Sequence, residues 1–257
     1  MKHISPPKAS HLIKAEVNHL HFSVLDSTNA WAKRNADRLE PAKITMITAS
    51  QQTEGKGRLK RVWQSPPDCN LYASFCFFVS LKTDVSNIGQ VMAVSAVEAL
   101  KELDFKIDLK WPNDLILQNK KVGGILCETT AIDDLLCVIV GIGLNINMES
   151  DELKKIDQPA TSLFDSGNRQ FNVDEVAVLL KKAFQNNLGI YFKEGFSPFY
   201  QTYRDLNASL VGKQIDFQSH NKLWQGGFKS VLEDGSLEIK LPSGESKIFT
   251  AGEILKK

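Results

Sequence analysis

The stretch Gln52-Thr53-Glu54-Gly55-Lys56-Gly57-Arg58-Leu59-Lys60-Arg61-Val62-Trp63 gathers side chains suited to holding an anion. Glycine lets backbone amides turn toward a phosphate without Cβ obstruction, four cations supply countercharge, and Trp63 offers a flat apolar face. A solvated basic surface loop is the plain alternative. The interleaving of glycine with cation, ending in tryptophan, favours phosphate binding instead. The segment is not a P-loop: no glycine stands five residues before Gly55, and Gly57 rather than Ser or Thr follows Lys56. A kinase or NTPase of that class is therefore disfavoured.

Two further clusters carry glycine beside polar side chains. In Lys110-Trp111-Pro112-Asn113-Asp114, followed by Lys121-Val122-Gly123-Gly124-Ile125-Leu126, a glycine pair interrupts a β-rich run. Such a pair is tolerated where a ligand or another backbone approaches closely. Lys121 stands at the adjoining turn, within reach of that ligand. In Gly141-Ile142-Gly143-Leu144-Asn145 the third glycine of a dinucleotide fingerprint is missing and no helical pattern follows, so the Rossmann reading fails. Asn145 offers a donor and an acceptor. The five histidines form no metal-ligand spacing, and no G-x-S-x-G elbow supports a serine hydrolase.

The elements that must position these residues follow from periodicity. His19 to Leu25 alternates as a strand, and Asp26 to Asn29 supplies helix-capping side chains before Ala30 to Ala36. Ile44 to Ala49 and Leu71 to Val79 are strands flanking the long loop from Gln51 to Asp68. Ser86 is expected to cap a helix with Ile88, Val91, Met92, Ala96, Ala99, Leu100 and Leu103 on its apolar face. Four closely connected strands follow, Lys106 to Trp111, Leu115 to Leu117, Val122 to Thr129 and Leu135 to Asn147, which argues for a largely antiparallel sheet. Asn172 and Glu175 form a capping pair before a long amphipathic helix, and a shorter helix spans Pro198 to Leu206. From about Ser209 only short strands and glycine turns remain, as in a small β-barrel. The expected class is α+β: a mixed, largely antiparallel sheet flanked by helices over 1–207, and the barrel over 208–257.

Composition bounds the function. With 31 Lys plus Arg against 30 Asp plus Glu, the net charge is +1, which argues against a dedicated nucleic-acid binder. Met1 to Lys8 contains no apolar run long enough for a secretory signal, and the longest apolar stretch, Leu135 to Leu144, is too short to span a bilayer. A cytoplasmic protein is expected. Cys69, Cys76, Cys127 and Cys137 form no C-x-x-C pair and are read as buried free thiols.

Ser27-Thr28-Asn29, the Gly55 to Trp63 loop, Lys110 to Asp114, Lys121 to Leu126 and Gly141 to Asn145 stand in the order and spacing of biotin protein ligases. The chain resembles that family over about residues 20 to 255. The resemblance implies a catalytic domain like that of class II aminoacyl-tRNA synthetases and a C-terminal barrel of the SH3 type. It implies biotin contacts at Ser27, Thr28, Asn29, Gln52, Lys56, Gly57, Arg58, Lys121, Gly124 and Gly143. ATP contacts are implied at Arg58, Arg61, Trp63, Lys110, Asn113, Lys121 and Asn145, with Lys121 and Arg58 catalytic and no residue assigned to a metal. Two positions depart from the family loop: Lys56 stands for its first Arg, and Lys60 for its later Gly. Only 26 residues precede Ser27, so the monofunctional form without the DNA-binding domain is expected, without a DNA or membrane partner and as a monomer or homodimer.

The implied chemistry suits these residue types. Biotin's carboxylate is unreactive toward amines, so ATP with Mg²⁺ first converts it to biotinyl-5'-AMP. A lysine of the biotin carboxyl carrier protein of acetyl-CoA carboxylase, or of related biotin enzymes, then attacks the acyl carbon. Lipoate or octanoate ligases share the implied fold, but the Trp-Pro-Asn-Asp and Gly-x-Gly-x-Asn segments point to biotin. A non-catalytic RNA-binding module using Lys56 to Arg61 is the remaining alternative.

Overall fold

The computed structural model describes residues 15–255. Met1 to Lys8, His3 and His11 lie outside the described residues. The first layer is a seven-stranded sheet. Strand β1 (Val17–Leu25) leads through Ser27 into helix α1 (Thr28–Arg34), whose first turn Ser27 caps by accepting from the Ala30 amide at 3.4 Å. Strand β2 (Ile44–Gln52) returns parallel to β1, and β3 (Leu71–Ser80) runs antiparallel to β2. Helix α2 (Ile88–Lys101) then crosses the sheet to β4 (Asp108–Lys110), β5 (Asp114–Leu117), β6 (Lys120–Ile132) and β7 (Leu135–Leu144). The strand order is β1-β2-β3-β7-β6-β5-β4, and β1 with β2 is its parallel pair. The two-residue turn between β5 and β6 carries Gln118 and Asn119 at φ 50° and 63°, the left-handed geometry of a tight hairpin.

Short helices α3 (Ser150–Leu153) and α4 (Leu163–Gly167) lead to α5 (Val173–Glu194) and α6 (Ser197–Leu206). Asn172 caps α5 by accepting from the amides of Asp174 and Glu175, and Gly195, at φ 72°, ends it. The buried stripe of α5, including Val176, Leu180, Phe184 and Leu188, packs with α2 on one face of the sheet. A smaller cluster around Ala32, Ile47, Phe78 and Ile139 sits beneath α1 on the other.

A second sheet comprises β8 (Gln214–Ser219), β9 (Lys222–Val231), β10 (Leu237–Lys240), β11 (Ser246–Phe249) and β12 (Glu253–Ile254). Its order is β11-β10-β9-β8-β12, antiparallel throughout, and the ladder leaves β11 and β12 as edges rather than closing a ring. Phe217, Phe228, Leu237 and Ile239 from this sheet join the same buried cluster as Trp111, Tyr203 and the α2 residues. Polar contacts fix the junction: Trp111 Nε1 and Gln90 Nε2 both donate to the Gly235 carbonyl, at 3.0 and 2.8 Å. Beside it the Tyr203 hydroxyl ties α6 to the Pro112 carbonyl at 2.8 Å.

Two expectations need correction. Ser86 does not cap α2; the cap position is Asn87, and its amide instead reaches Gln90 and the Asp234 carbonyl of the second sheet. The thiols are free, but they are not all buried: Cys76 and Cys137 are, whereas Cys69 is half-buried and Cys127 exposed. Strand β5 pairs β6 only as far as Gly124, so the remainder of β6, with Cys127, is flanked on one side alone. Among the described residues, no helix is long and apolar enough to cross a membrane.

Candidate active site

Three sequence-distant segments meet over the middle of the large sheet: the start of α1, the Gly55 to Trp63 hairpin, and the glycine-bearing parts of β6 and β7. Between them lies a cleft of about 420 Å³. Ser27, Thr28, Asn29, Gln52, Lys56, Gly57, Arg58, Arg61, Trp63, Asn113, Lys121, Gly124, Gly143 and Asn145 all line it. Of the residues expected at the site, Lys110 alone does not. It stands opposite Asp114 on β4, where burial lowers its pKa.

Register explains the glycines. Gly124 on β6 pairs with Gly143 on β7, and Leu126 pairs with Gly141, so the two motifs form one strip nearly free of Cβ atoms. A Cβ on Gly141 would collide with Asn29 Oδ1, and one on Gly143 would stand 2.5 Å from Trp63 Nε1. The strip therefore admits two side chains, Asn29 and the Trp63 indole, into the floor and wall of the cleft. Trp63 Nε1 is buried without a hydrogen-bond partner, a donor available to an acceptor-bearing ligand.

The α1 end of the cleft is a closed polar network. Asn29 Nδ2 donates to the Leu126 carbonyl and to Glu128, at 3.0 and 3.1 Å. The Ser74 hydroxyl lies 2.6 Å from Asn29 Oδ1 and 2.8 Å from the Thr28 hydroxyl. Gln52 Oε1 accepts from the Thr28 amide at 2.9 Å, while its Nε2 donates to Ser65, which in turn donates to the Trp63 carbonyl. Such a network fixes the rotamers that face the cleft before any ligand arrives. Ser74 and Ser65 carry no sequence signal, since each reads as an ordinary strand or loop serine.

The basic loop is a hairpin strap. Lys56 and Val62 form a β-bridge, Gly57 N–H donates to the Arg61 carbonyl at 2.8 Å, and Leu59 and Lys60 turn the tip with φ of 53° and 61°. Arg58 Nη1 donates to Asn113 Oδ1 at 3.3 Å and Nη2 to the Gly252 carbonyl at 3.0 Å, and burial lowers its pKa. Arg61 pairs with Glu253. The strap is thus tied to the second sheet by both arginines. Glu253, absent from the sequence-derived set, lines the cleft, and its second oxygen is buried without a partner.

At the opposite wall Lys121 Nζ lies 2.6 Å from Asp114 Oδ1 and 5.4 Å from the centre of the Trp63 ring. Its backbone is held by the segment after α3: Lys121 N–H donates to the Pro159 carbonyl and its own carbonyl accepts from Thr161 N–H, both at 2.9 Å. That segment brings Lys155 to Gln158 to the cleft, a contribution that no local pattern announces. Asn113 Nδ2 donates to the Ile125 carbonyl, and the buried Asn145 donates to that of Thr161. The result is one end of fixed neutral donors and acceptors, a central strip open to a flat or extended ligand, and a far end with Lys121, Arg58 and Arg61. This arrangement suits a small molecule carrying an anionic group.

The Biotin/lipoate A/B protein ligase family matches residues 21–145. The Bifunctional ligase/repressor BirA of Bacillus spizizenii is 30% identical over 251 residues, covering 93% of this chain and 75% of that protein. Biotin--protein ligase 2 of Arabidopsis thaliana is 32% identical over 231 residues, covering 80% and 68%. The biotin protein ligase of Aquifex aeolicus, solved in complex with biotin and ATP, superposes with a TM-score of 0.76 at 28% identity, covering 93% of this chain and 97% of that one. With this identity over three quarters of a relative, and the same fold beneath it, the chain belongs to the biotin protein ligase family.

Proposed function

We infer that the protein is an ATP-dependent ligase that activates biotin as biotinyl-5'-AMP and transfers the biotinyl group to a lysine of a biotin carboxyl carrier protein. The observation that carries this reading is the position of Lys121 beside Asp114 and Trp63, at the cationic end of a cleft whose other end is a fixed amide and hydroxyl network. Ser27, Thr28, Asn29 and Gln52 would hold the ureido end of biotin, with Gly124 and Gly143 flanking its body. Lys121 would leave Asp114 to stand between the biotin carboxylate and the α-phosphate, lowering the repulsion between two anions as they react. Arg58 and Arg61 would close over the phosphates, with Asn113 and Asn145 behind them.

Among the described residues, no group of three or more His, Cys, Asp or Glu side chains is arranged to hold a metal. Mg²⁺ is commonly held by one or two carboxylates together with substrate phosphates, and the partnerless oxygen of Glu253 fits that role. When bound, the ion would offset charge on the phosphates. We further propose that residues 1–207 and 208–257 act as a catalytic unit and an appended sheet, that the protein works in the cytoplasm, and that it does so as a monomer or homodimer.

Pyrophosphate exchange into ATP tests the activity. Exchange is expected with biotin and Mg²⁺, and little with lipoate, octanoate or no acid. Equal exchange with lipoate, or none with biotin, overturns the reading. Retention of RNA without ATP turnover would favour the binding-module alternative.

A further inference from the structure

The tip of the strap is built from residues that its own fold does not require. Leu59 and Lys60 hold left-handed backbone conformations, which are strained for a residue other than glycine. Leu59 recovers little by packing, since it is 62% exposed, and Val62 on the same hairpin is 73% exposed. Asparagine and glycine make this turn at lower cost. An apolar side chain at position 59 is therefore unexplained by the folded chain alone.

The location supplies the explanation. The strap walls the cleft in which the activated acyl group would form, and Leu59 itself stands outside the lining. A lysine side chain extends only about 6 Å from its Cα. Any protein that delivers a lysine to the cleft must therefore bring its body against the mouth, where Leu59 and Val62 lie. Lys56 and Lys60 are exposed beside them. We propose that the strap tip is a docking surface for the protein substrate: Leu59, with Val62 at its base, seats against an apolar surface next to the acceptor lysine, and the flanking lysines favour an acidic margin around it. The proposal rests on the reading of the chain as a biotin–protein ligase and adds to it the contact that selects the acceptor.

The test uses the full-length protein with Leu59→Asn, Leu59→Asp and Leu59→Met. Asparagine tolerates the left-handed turn, so the hairpin is retained. Three rates are compared: biotin-dependent pyrophosphate exchange, capture of the activated biotin by hydroxylamine, and transfer to a purified apo carrier domain. For the Asn and Asp variants, the KM for the carrier should rise about tenfold, the scale of one buried apolar contact. Exchange and hydroxylamine capture should stay within twofold, and Leu59→Met should behave as wild type. A carrier KM unchanged in the Asn and Asp variants overturns the proposal. So does a parallel fall in all three rates, which would make Leu59 part of the strap's own structure. Wild-type protein lacking biotin-dependent exchange would sink the ligase reading itself, a separate result.

Discussion

Lys121 and Asp114 form a half-buried ion pair, Nζ to Oδ1 2.6 Å, each side chain 17% exposed, at the wall of the cleft. The pair holds the lysine ammonium beside the Trp63 ring. Lys121→Ala should lose roughly 2 to 4 kcal/mol of transition-state stabilisation, read as kcat/KM for pyrophosphate exchange. A variant within threefold of wild type would reduce Lys121 to a structural lysine.

Arg58 ties the strap to Asn113 and to the Gly252 carbonyl. Arg58→Gly removes a charged donor worth about 1.5 to 3 kcal/mol and loosens the backbone that must close. Adenylate synthesis should persist while biotinyl-AMP escapes at least tenfold faster, measured by chase dissociation. Unaltered release would show that the strap is held by Arg61 and Glu253 alone.

Gly143→Ala places a methyl group 2.5 Å from the Trp63 indole. The ring must leave the strip, at about 1 to 3 kcal/mol for overpacking. Biotin affinity by calorimetry should fall at least tenfold. Undiminished binding would mean that the indole yields freely and that the glycine serves another purpose.

Lys60 stands at φ 61°, in the left-handed region that favours glycine. Lys60→Gly relieves about 1 to 2 kcal/mol of left-handed strain and gives back about 0.4 to 1 through the freer unfolded chain. Amide exchange of Gly57 and Trp63, both hydrogen-bonded within the hairpin, should slow about threefold. Faster exchange would contradict the strain assigned to the turn.

Asp26, at the entry to α1, accepts both arms of Arg34 at 2.6 and 2.9 Å, which holds its pKa at about 2. An unfolded aspartate titrates near about 3.9. The pair's contribution is therefore complete above about pH 4 and is lost as pH falls through 2. With side chains 30% and 56% exposed, it amounts to about 0.5 to 1 kcal/mol. The stability gap between wild type and Asp26→Asn in urea should be full at pH 6 and clearly smaller at pH 2. A gap independent of pH would assign the effect to side-chain shape rather than charge.

Local chemistry is what the sequence determined. The caps at Ser27 and Asn172, the hairpin turn at Gln118 and Asn119, and the alternation of the strands are all set by neighbours within a few residues, so spacing reveals them. The same holds for Ser27 to Asn29, the basic loop, Lys121 and the paired glycines, each visible as a motif. The Ser86 expectation failed for a complementary reason: Asn87, at the cap position, directs its side chain toward a sheet nearly 150 residues away, and no local pattern reports that. Tertiary structure alone decided which motifs touch. The pairing of Gly124 with Gly143 follows from the β6–β7 register, and Ser74 meets Asn29 because β3 runs beneath α1. Lys121 meets Asp114 across a bulged hairpin, and Arg61 meets Glu253 because the second sheet docks on Trp111 through Gly235. Those contacts arise from burying the apolar clusters on the two faces of the large sheet, which fixes distant polar side chains as a consequence of packing rather than of sequence proximity.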